Sequence, residues 1–119
     1  MKILRIILIA LSLYCSAEAA YSLTAMGGKI TLYRIDPKGV VQVFFPNPSY
    51  TNAACSTHFN ILSFNINTSI GRTYLALVIN AHSAGLNMVA YGTGFCSNTF
   101  DLWGNPDITE DLGLIMITN

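Results

Sequence analysis

The residues best suited to binding chemistry gather around Trp103, the only tryptophan in this chain of 119 residues. Asn98 and Asp101 precede it, and Asn105 follows it. A sugar ring has an apolar face that stacks on an aromatic plane, while its hydroxyls hydrogen-bond to amide and carboxylate groups. We therefore predict a ligand-binding site for carbohydrate at these four residues. A second interpretation, in which Trp103 fills the end of the fold or a subunit interface, fits the same pattern.

Patterns for catalysis and metal binding are weaker. Cys55 and His58 are close in sequence, but a zinc site needs three or four ligands and the neighbouring residues supply no others. His82 has no acidic residue three or four positions away to orient its ring. A serine hydrolase would need an activated nucleophile, and the glycine-flanked serine turn of such enzymes is missing. We predict no enzymatic activity, no metal and no cofactor.

The N-terminal segment has the layout of a secretory signal peptide. Lys2 and Arg5 precede an apolar run at 6–14, and small residues follow that run where a signal peptidase would cleave. We predict that 1–20 is a signal peptide and that 21–119 forms a single domain. The expected location is therefore secreted or periplasmic.

Two other interpretations of this leader are less well supported. Its apolar run is shorter than the roughly 20 residues that a membrane span needs, so we expect no stable membrane insertion. A lipid anchor on Cys15 would require a small residue before it, whereas the sequence has the bulky Tyr14. Cleavage remains the favoured interpretation.

Export leaves two cysteines in the predicted domain, Cys55 and Cys96. In an oxidising compartment they are expected to form one disulfide. The enclosed loop is long, and loop-closure entropy makes such a bridge worth roughly 4 kcal/mol. The spacing differs from the Cys-x-x-Cys pattern of exchange catalysts, so a structural bridge is predicted.

Charge restricts the partners. The predicted domain has four Lys and Arg residues against five Asp and Glu residues, and it is rich in Asn, Ser and Thr. Nucleic-acid binding depends on a dense basic surface, which this composition does not provide. Neutral sugars and other protein subunits are the expected partners.

Hydrophobic patterning predicts a mainly β domain with one helix. Runs rich in β-branched and aromatic residues indicate strands at 29–36, 40–45, 59–66, 86–91 and 112–118. The segment 36–39 has the proline and glycine of a tight turn. Residues 96–111 are expected to form a long loop that holds the tryptophan.

The helix is predicted at 70–84, where apolar residues recur at intervals of three and four. Thr68 or Ser69 can cap its start, and Gly85 can end it. A buried strand through 74–79 is the competing interpretation, since Val and Ile adjoin there. The length of the pattern and the terminal glycine favour the helix.

The order β-β-β-α-β-β is that of the five-stranded OB-fold barrel, which binds ligands with its loops and one sheet face. The chain resembles the B-subunits of enterotoxin-type bacterial toxins, which are pentameric rings of this fold. Trp103-Gly104-Asn105 is similar to a motif in their sugar site, and the segments 77–89 and 114–119 resemble their helix, following strand and last strand. The position of the cysteines differs from theirs.

This resemblance implies a homo-oligomer that binds a glycan or a host surface receptor and that has a toxin A-subunit as a partner. The alternative is a stand-alone structural or inhibitory protein of the cell envelope, with the same fold and no affinity for sugars. A third and weaker interpretation is a small enzyme whose residues follow no familiar pattern. A gene for an enzymatic subunit beside this one would favour the toxin-like interpretation.

Overall fold

The computed structural model describes residues 24–47, 51 and 53–118. The predicted signal peptide at 1–20 and the predicted start of the domain at residue 21 lie outside the described residues. Eight strands and one helix occupy the described part of the chain: β1 (Ala25–Lys29), β2 (Leu32–Ile35), β3 (Val40–Phe44), β4 (Ile61–Asn65), α1 (Ser69–Ala84), β5 (Asn87–Gly92), β6 (Thr99–Leu102), β7 (Asn105–Ile108) and β8 (Glu110–Thr118).

Six of these strands form one mixed sheet in the order β1-β5-β8-β4-β3-β2. The β4 and β8 strands are parallel, and the other neighbours in the sheet are antiparallel. β1 and β2 lie at opposite edges of this order, yet only Ile30 and Thr31 separate them in sequence. Beyond β3, the backbone N–H of Asn47 donates to the carbonyl of Gly27 in β1. The two edges of the sheet therefore belong to one bent segment of chain.

The predicted mainly β class with one helix is confirmed, and most predicted strands lie within two residues of the observed ones. The predicted strand at 29–36 is wrong as a single element, because the chain bends at Ile30 and Thr31 between β1 and β2. The turn at 36–39 is confirmed by the hydrogen bond from the backbone N–H of Gly39 to the carbonyl of Asp36.

The predicted loop at 96–111 is wrong in its middle, where β6 and β7 pair as a hairpin. Its two turn residues, Trp103 and Gly104, have φ angles of 49° and 84°. Two-residue hairpin turns favour such positive angles because they match the twist of the strands, but a tryptophan rarely adopts one. Pro106 within β7 also argues against a strand at the level of sequence, since proline is uncommon in sheet interiors.

The helix is confirmed over the competing strand. The Thr68 hydroxyl accepts a hydrogen bond from the backbone N–H of Gly71 at 3.0 Å, which caps the first turn. At the other end, Gly85 is left-handed and the N–H of Leu86 donates to the carbonyl of Ala81. The helix packs on β4 and β8 and buries Val78 and Ala81.

One apolar core joins the inner face of the sheet to this helix. Its members are fully or almost fully buried, and they come from five strands, the helix and the flanking segments: Met26, Ile30, Val41, Val43, Phe45, Leu62, Phe64, Val78, Ala81, Met88, Ala90, Leu112 and Ile115. The outer face of β3 and β4 is buried as well, since Gln42 and Ser63 have no exposed surface. The β6–β7 hairpin contacts β3, and this contact explains why Gln42 is covered.

The predicted disulfide is confirmed. Cys55 and Cys96 are bonded, with their Cα atoms 6.1 Å apart. Such a bridge is typical of chains that fold in an oxidising compartment outside the cytoplasm. Within the described residues, none of the helical structure has both the length and the apolar character needed to cross a membrane.

Candidate functional site

The β6–β7 hairpin is held against the sheet by Arg34 of β2. The Arg34 guanidinium lies 4.5 Å from the ring centre of Phe100 and 5.1 Å from that of Phe44. Its Nε donates to Gln42 Oε1 at 2.8 Å, and its Nη2 donates to Asp107 Oδ2 at 3.1 Å. Cation–π contact and charge-assisted hydrogen bonds therefore act on the same group, which links β2, β3 and both strands of the hairpin.

Asp107 of β7 is the acceptor at the centre of this network. Besides Arg34, the Gln42 amide donates to Asp107 Oδ2 at 3.0 Å, and the Nε2 atom of His58 lies 2.9 Å from Oδ1. Burial acts to raise the pKa of Asp107, but hydrogen bonds from Gln42 and His58 and the nearby charges outweigh it and lower the pKa. The carboxylate is thus held ionised beside the Arg34 guanidinium.

Asp36 fixes the hairpin from the other side. Its Oδ1 accepts hydrogen bonds from the backbone N–H groups of Lys38 and Val40, and its Oδ2 accepts one from Asp101 at 3.0 Å. Burial acts to raise the pKa of Asp36, but these three N–H donors and the charge of Lys38 outweigh it, so the pKa is lowered. One carboxylate therefore shapes the 36–39 turn and also positions β6.

A cavity of about 290 Å³ lies between this turn and the hairpin. Ile35 and Pro37 line it on the side of the sheet, and Phe100, Leu102 and Trp103 line it on the side of the hairpin. Trp103 stands at the tip of the hairpin with 96% of its surface exposed. The exposure leaves the indole free to meet a ligand, and it means that the side chain does not fill an end of the fold within this chain.

The structure separates the four residues that the sequence predicted as one ligand-binding site. Trp103 and Asp101 line this cavity together. Asn105 lies on the same hairpin, exposed and opposite Leu102, but outside the lining of the cavity. Asn98 lies elsewhere, in the segment before β6, where its amide donates to an oxygen of the Asp111 carboxylate at 3.1 Å.

Asn98 belongs to a second cavity, also of about 290 Å³, near the start of the helix. Asp111 lies there and accepts hydrogen bonds from the backbone N–H and the hydroxyl of Ser97. Ile70 and Tyr74 of the helix form part of its apolar wall. The polar groups of this cavity thus bind one another and order the chain that follows the disulfide.

The two histidines lie in different places, since the ring of His58 contacts Asp107 and His82 belongs to the helix. His82 packs edge-on against Tyr33, with ring centres 5.4 Å apart. The hydroxyl of Ser56 donates to the backbone carbonyl of His58 at 3.0 Å. Across residues 24–47, 51 and 53–118, no group of three or more His, Cys, Asp or Glu side chains is placed to hold a metal ion.

Sequence reasoning identified Trp103 and Asp101 but missed Arg34, Asp36 and Asp107, which build and support the rest of the cavity. Arg34 and Asp107 are 73 positions apart, and Asp36 and Asp101 are 65 apart. Contacts between residues so far apart leave no periodic pattern in the sequence. In the sequence, the turn at 36–39 is already a sufficient explanation for Asp36, so nothing indicates its second contact with Asp101. The one available signal was the polar residue Gln42 inside an otherwise apolar strand, which indicates a covered outer face.

Comparison with known proteins finds no match to this chain among protein-family models, curated proteins or solved structures. The interpretation of the cavity beside Trp103 therefore rests on its own residues. The likeness to enterotoxin-type B-subunits is a proposal, and its support comes from the order of the elements and from the local motif at the hairpin tip.

Proposed function

We propose that this protein is an exported, non-catalytic binding domain that recognises glycans in the cavity beside Trp103. The exposed indole next to a cavity is the observation that carries the proposal. Because 96% of the surface of Trp103 is exposed, burial within this chain does not account for the residue, whereas contact of the indole with a ligand would use it. The disulfide supports an extracytoplasmic location.

The cavity suits one face of a sugar ring. The indole, together with Leu102 and Pro37, provides apolar surface for the carbon-bound hydrogens of the ring. The Asp101 carboxylate accepts a hydrogen bond from the backbone N–H of Gly104 and retains acceptor capacity for a hydroxyl group. Stacking plus a few directional polar contacts is the usual chemistry of such a site.

We propose further that the fold is a five-stranded OB-type barrel. If β1 and β2 are counted as one bent strand and the β6–β7 hairpin as an insertion, the element order is β-β-β-α-β-β. The contact between Asn47 and Gly27 brings the end of β3 beside β1, as closure of a barrel requires. The hairpin that carries Trp103 then occupies the loop between the last two strands, one of the loops with which this fold binds ligands.

Assembly into a ring of identical subunits completes the proposal, with a toxin-type A-subunit as a further partner. Leu114 and Met116 are exposed on the outer face of β8, opposite Tyr91 and Val89 of β5 in register. Contact with a neighbouring copy would cover this apolar surface. The molar mass of the exported protein, measured by light scattering, is expected to be a multiple of the chain mass, and a monomer would contradict the ring.

The decisive binding test is a glycan array with the wild-type protein and Trp103→Ala. We expect bound glycans for the wild type and loss of most of that signal in the variant, because stacking on the indole is removed. Phe95→Ala is the matched control, since Phe95 is 68% exposed and lies outside the lining of the cavity.

Equal signals from the wild type and Trp103→Ala would remove Trp103 from the site. A wild-type protein that binds no glycan and remains a monomer would favour the alternative of a stand-alone structural or inhibitory protein of the cell envelope.

A further inference from the structure

We propose that the cavity beside Trp103 selects uncharged glycans and discriminates against glycans that bear a carboxylate, because Asp107 already neutralises Arg34, the one cation among the described residues of its lining. This inference rests on the proposed glycan-binding function and specifies the ligand. It assigns Asp107, which lies behind the cavity, the role of setting selectivity.

Arg34 is the lining residue that could attract an anionic sugar. Its guanidinium lies 3.1 Å from Asp107, and its Nε is bound to Gln42. Phe44 and Phe100 cover it within about 5.1 Å, so it cannot swing into the cavity without losing both ring contacts. The Arg34 guanidinium keeps its N–H donors, but the ion pair that it forms with Asp107 carries little net charge.

The other charged groups of the lining are carboxylates, Asp36 and Asp101. Asp36 is buried and bound to three backbone N–H groups, and Lys38 is the cation close enough to affect it. In the described part of the chain, no cationic side chain lies within ion-pair distance of Asp101. A carboxylate on a ligand would therefore lose water and meet repulsion from Asp101, and the described residues of the lining offer no unpaired cation to compensate.

An uncharged sugar avoids both the desolvation of a carboxylate and its repulsion from Asp101. Arg34 uses two of its five N–H groups in the contacts with Gln42 and Asp107, and about a third of its side chain is exposed. The remaining donors suit hydroxyl or acetamido oxygens, which carry no formal charge. The indole of Trp103 stacks equally well on either kind of sugar, so the charges determine the selectivity.

The test compares two probes on the full-length exported protein: N-acetyllactosamine and its sialylated derivative, measured by titration calorimetry. We expect the wild type to bind the neutral probe about tenfold more tightly, which corresponds to about 1.4 kcal/mol. Asp107→Asn removes the negative charge and leaves a hydrogen-bonding side chain, so the Arg34 charge is unmasked. We expect its preference for the neutral probe to fall at least threefold.

Asp111→Asn is the matched control, because it removes the same charge at the second cavity and should leave the preference unchanged. If Asp107→Asn does not fold, Asp101→Asn replaces it, because the Asp101 side chain is exposed. The same fall in the preference for the neutral probe is expected for this variant. Equal or tighter binding of the sialylated probe by the wild type would overturn the selectivity, while glycan binding itself would stand. Failure of the wild type to bind any glycan on the array would overturn the proposed function instead.

Discussion

The backbone N–H of Asp101 donates to Oδ2 of Asp36 across 3.0 Å, which joins two residues 65 positions apart in sequence. The other oxygen of the same carboxylate closes the turn between β2 and β3. The turn and the β6–β7 hairpin are therefore held by one side chain. Because Trp103 lies two residues beyond Asp101, the position of the exposed indole depends on Asp36.

Asp36→Asn is expected to lower the free energy of unfolding by about 2 kcal/mol, since hydrogen bonds to a charged group contribute about 1.5 to 3 kcal/mol. An amide has only one acceptor atom, so its NH₂ group would face a backbone N–H that now lacks a partner. Urea denaturation of the variant and the wild type measures the difference. Asp101→Asn is the control, because the exposed Asp101 side chain accepts one hydrogen bond, from the backbone N–H of Gly104. This variant should lower the free energy of unfolding much less.

Stability is expected to decrease in acid because the pKa values of Asp36 and Asp107 are both lowered from the ordinary 3.8. A carboxyl with a lower pKa in the folded state stabilises fully above its unfolded pKa, and this contribution is lost as pH falls through the folded value. Urea midpoints should therefore be level near neutrality and fall below about pH 4. The double variant Asp36→Asn, Asp107→Asn should show a shallower fall, and an equal fall would contradict the assignment.

Local patterns predicted the helix because its signals are local. Periodic apolar residues, the Thr68 cap and the Gly85 end all lie within one stretch of sequence. The same holds for β3 and β4, whose apolar runs are bounded by turns. The disulfide was predictable from counting, since the predicted domain at 21–119 contains only Cys55 and Cys96.

The hairpin and its cavity were not predictable in this way. β6 and β7 have few apolar residues and include Pro106, because they are stabilised by pairing with each other and by Arg34 rather than by core burial. The break between β1 and β2 likewise reflects the bend of the sheet. The surroundings of Glu110 were also not predictable from local sequence. Its fully buried carboxylate accepts hydrogen bonds from Thr24 and Ala53, which are distant from it in sequence.

Removal of the disulfide by Cys55→Ser with Cys96→Ser is expected to lower the free energy of unfolding by roughly 4 kcal/mol. The bridge joins the segment before β4 to the segment before β6, so it limits the unfolded chain over the middle of the domain. Guanidinium denaturation compares the variant with wild type in the oxidised and reduced forms. The reduced wild type should have the same free energy of unfolding as the variant. If the thiols of Cys55 and Cys96 can both be titrated in the oxidised protein, the bridge is contradicted.

Gly71→Ala should destabilise the protein, although alanine is the better helix former by about 1 kcal/mol. A Cβ at this position would lie 1.8 Å from the backbone carbonyl oxygen of Asn65, so the start of the helix would have to move away from β4. That movement also strains the cap, because the Thr68 hydroxyl donates to the same carbonyl and accepts from the Gly71 N–H. Overpacking of this kind costs about 1 to 3 kcal/mol, so thermal unfolding should show a lower melting temperature. Ser83→Ala, an exposed change in the same helix, is the control and should leave the melting temperature equal or slightly higher. A melting temperature of Gly71→Ala that is equal to or above that of the wild type would mean that the helix does not pack this closely on the sheet.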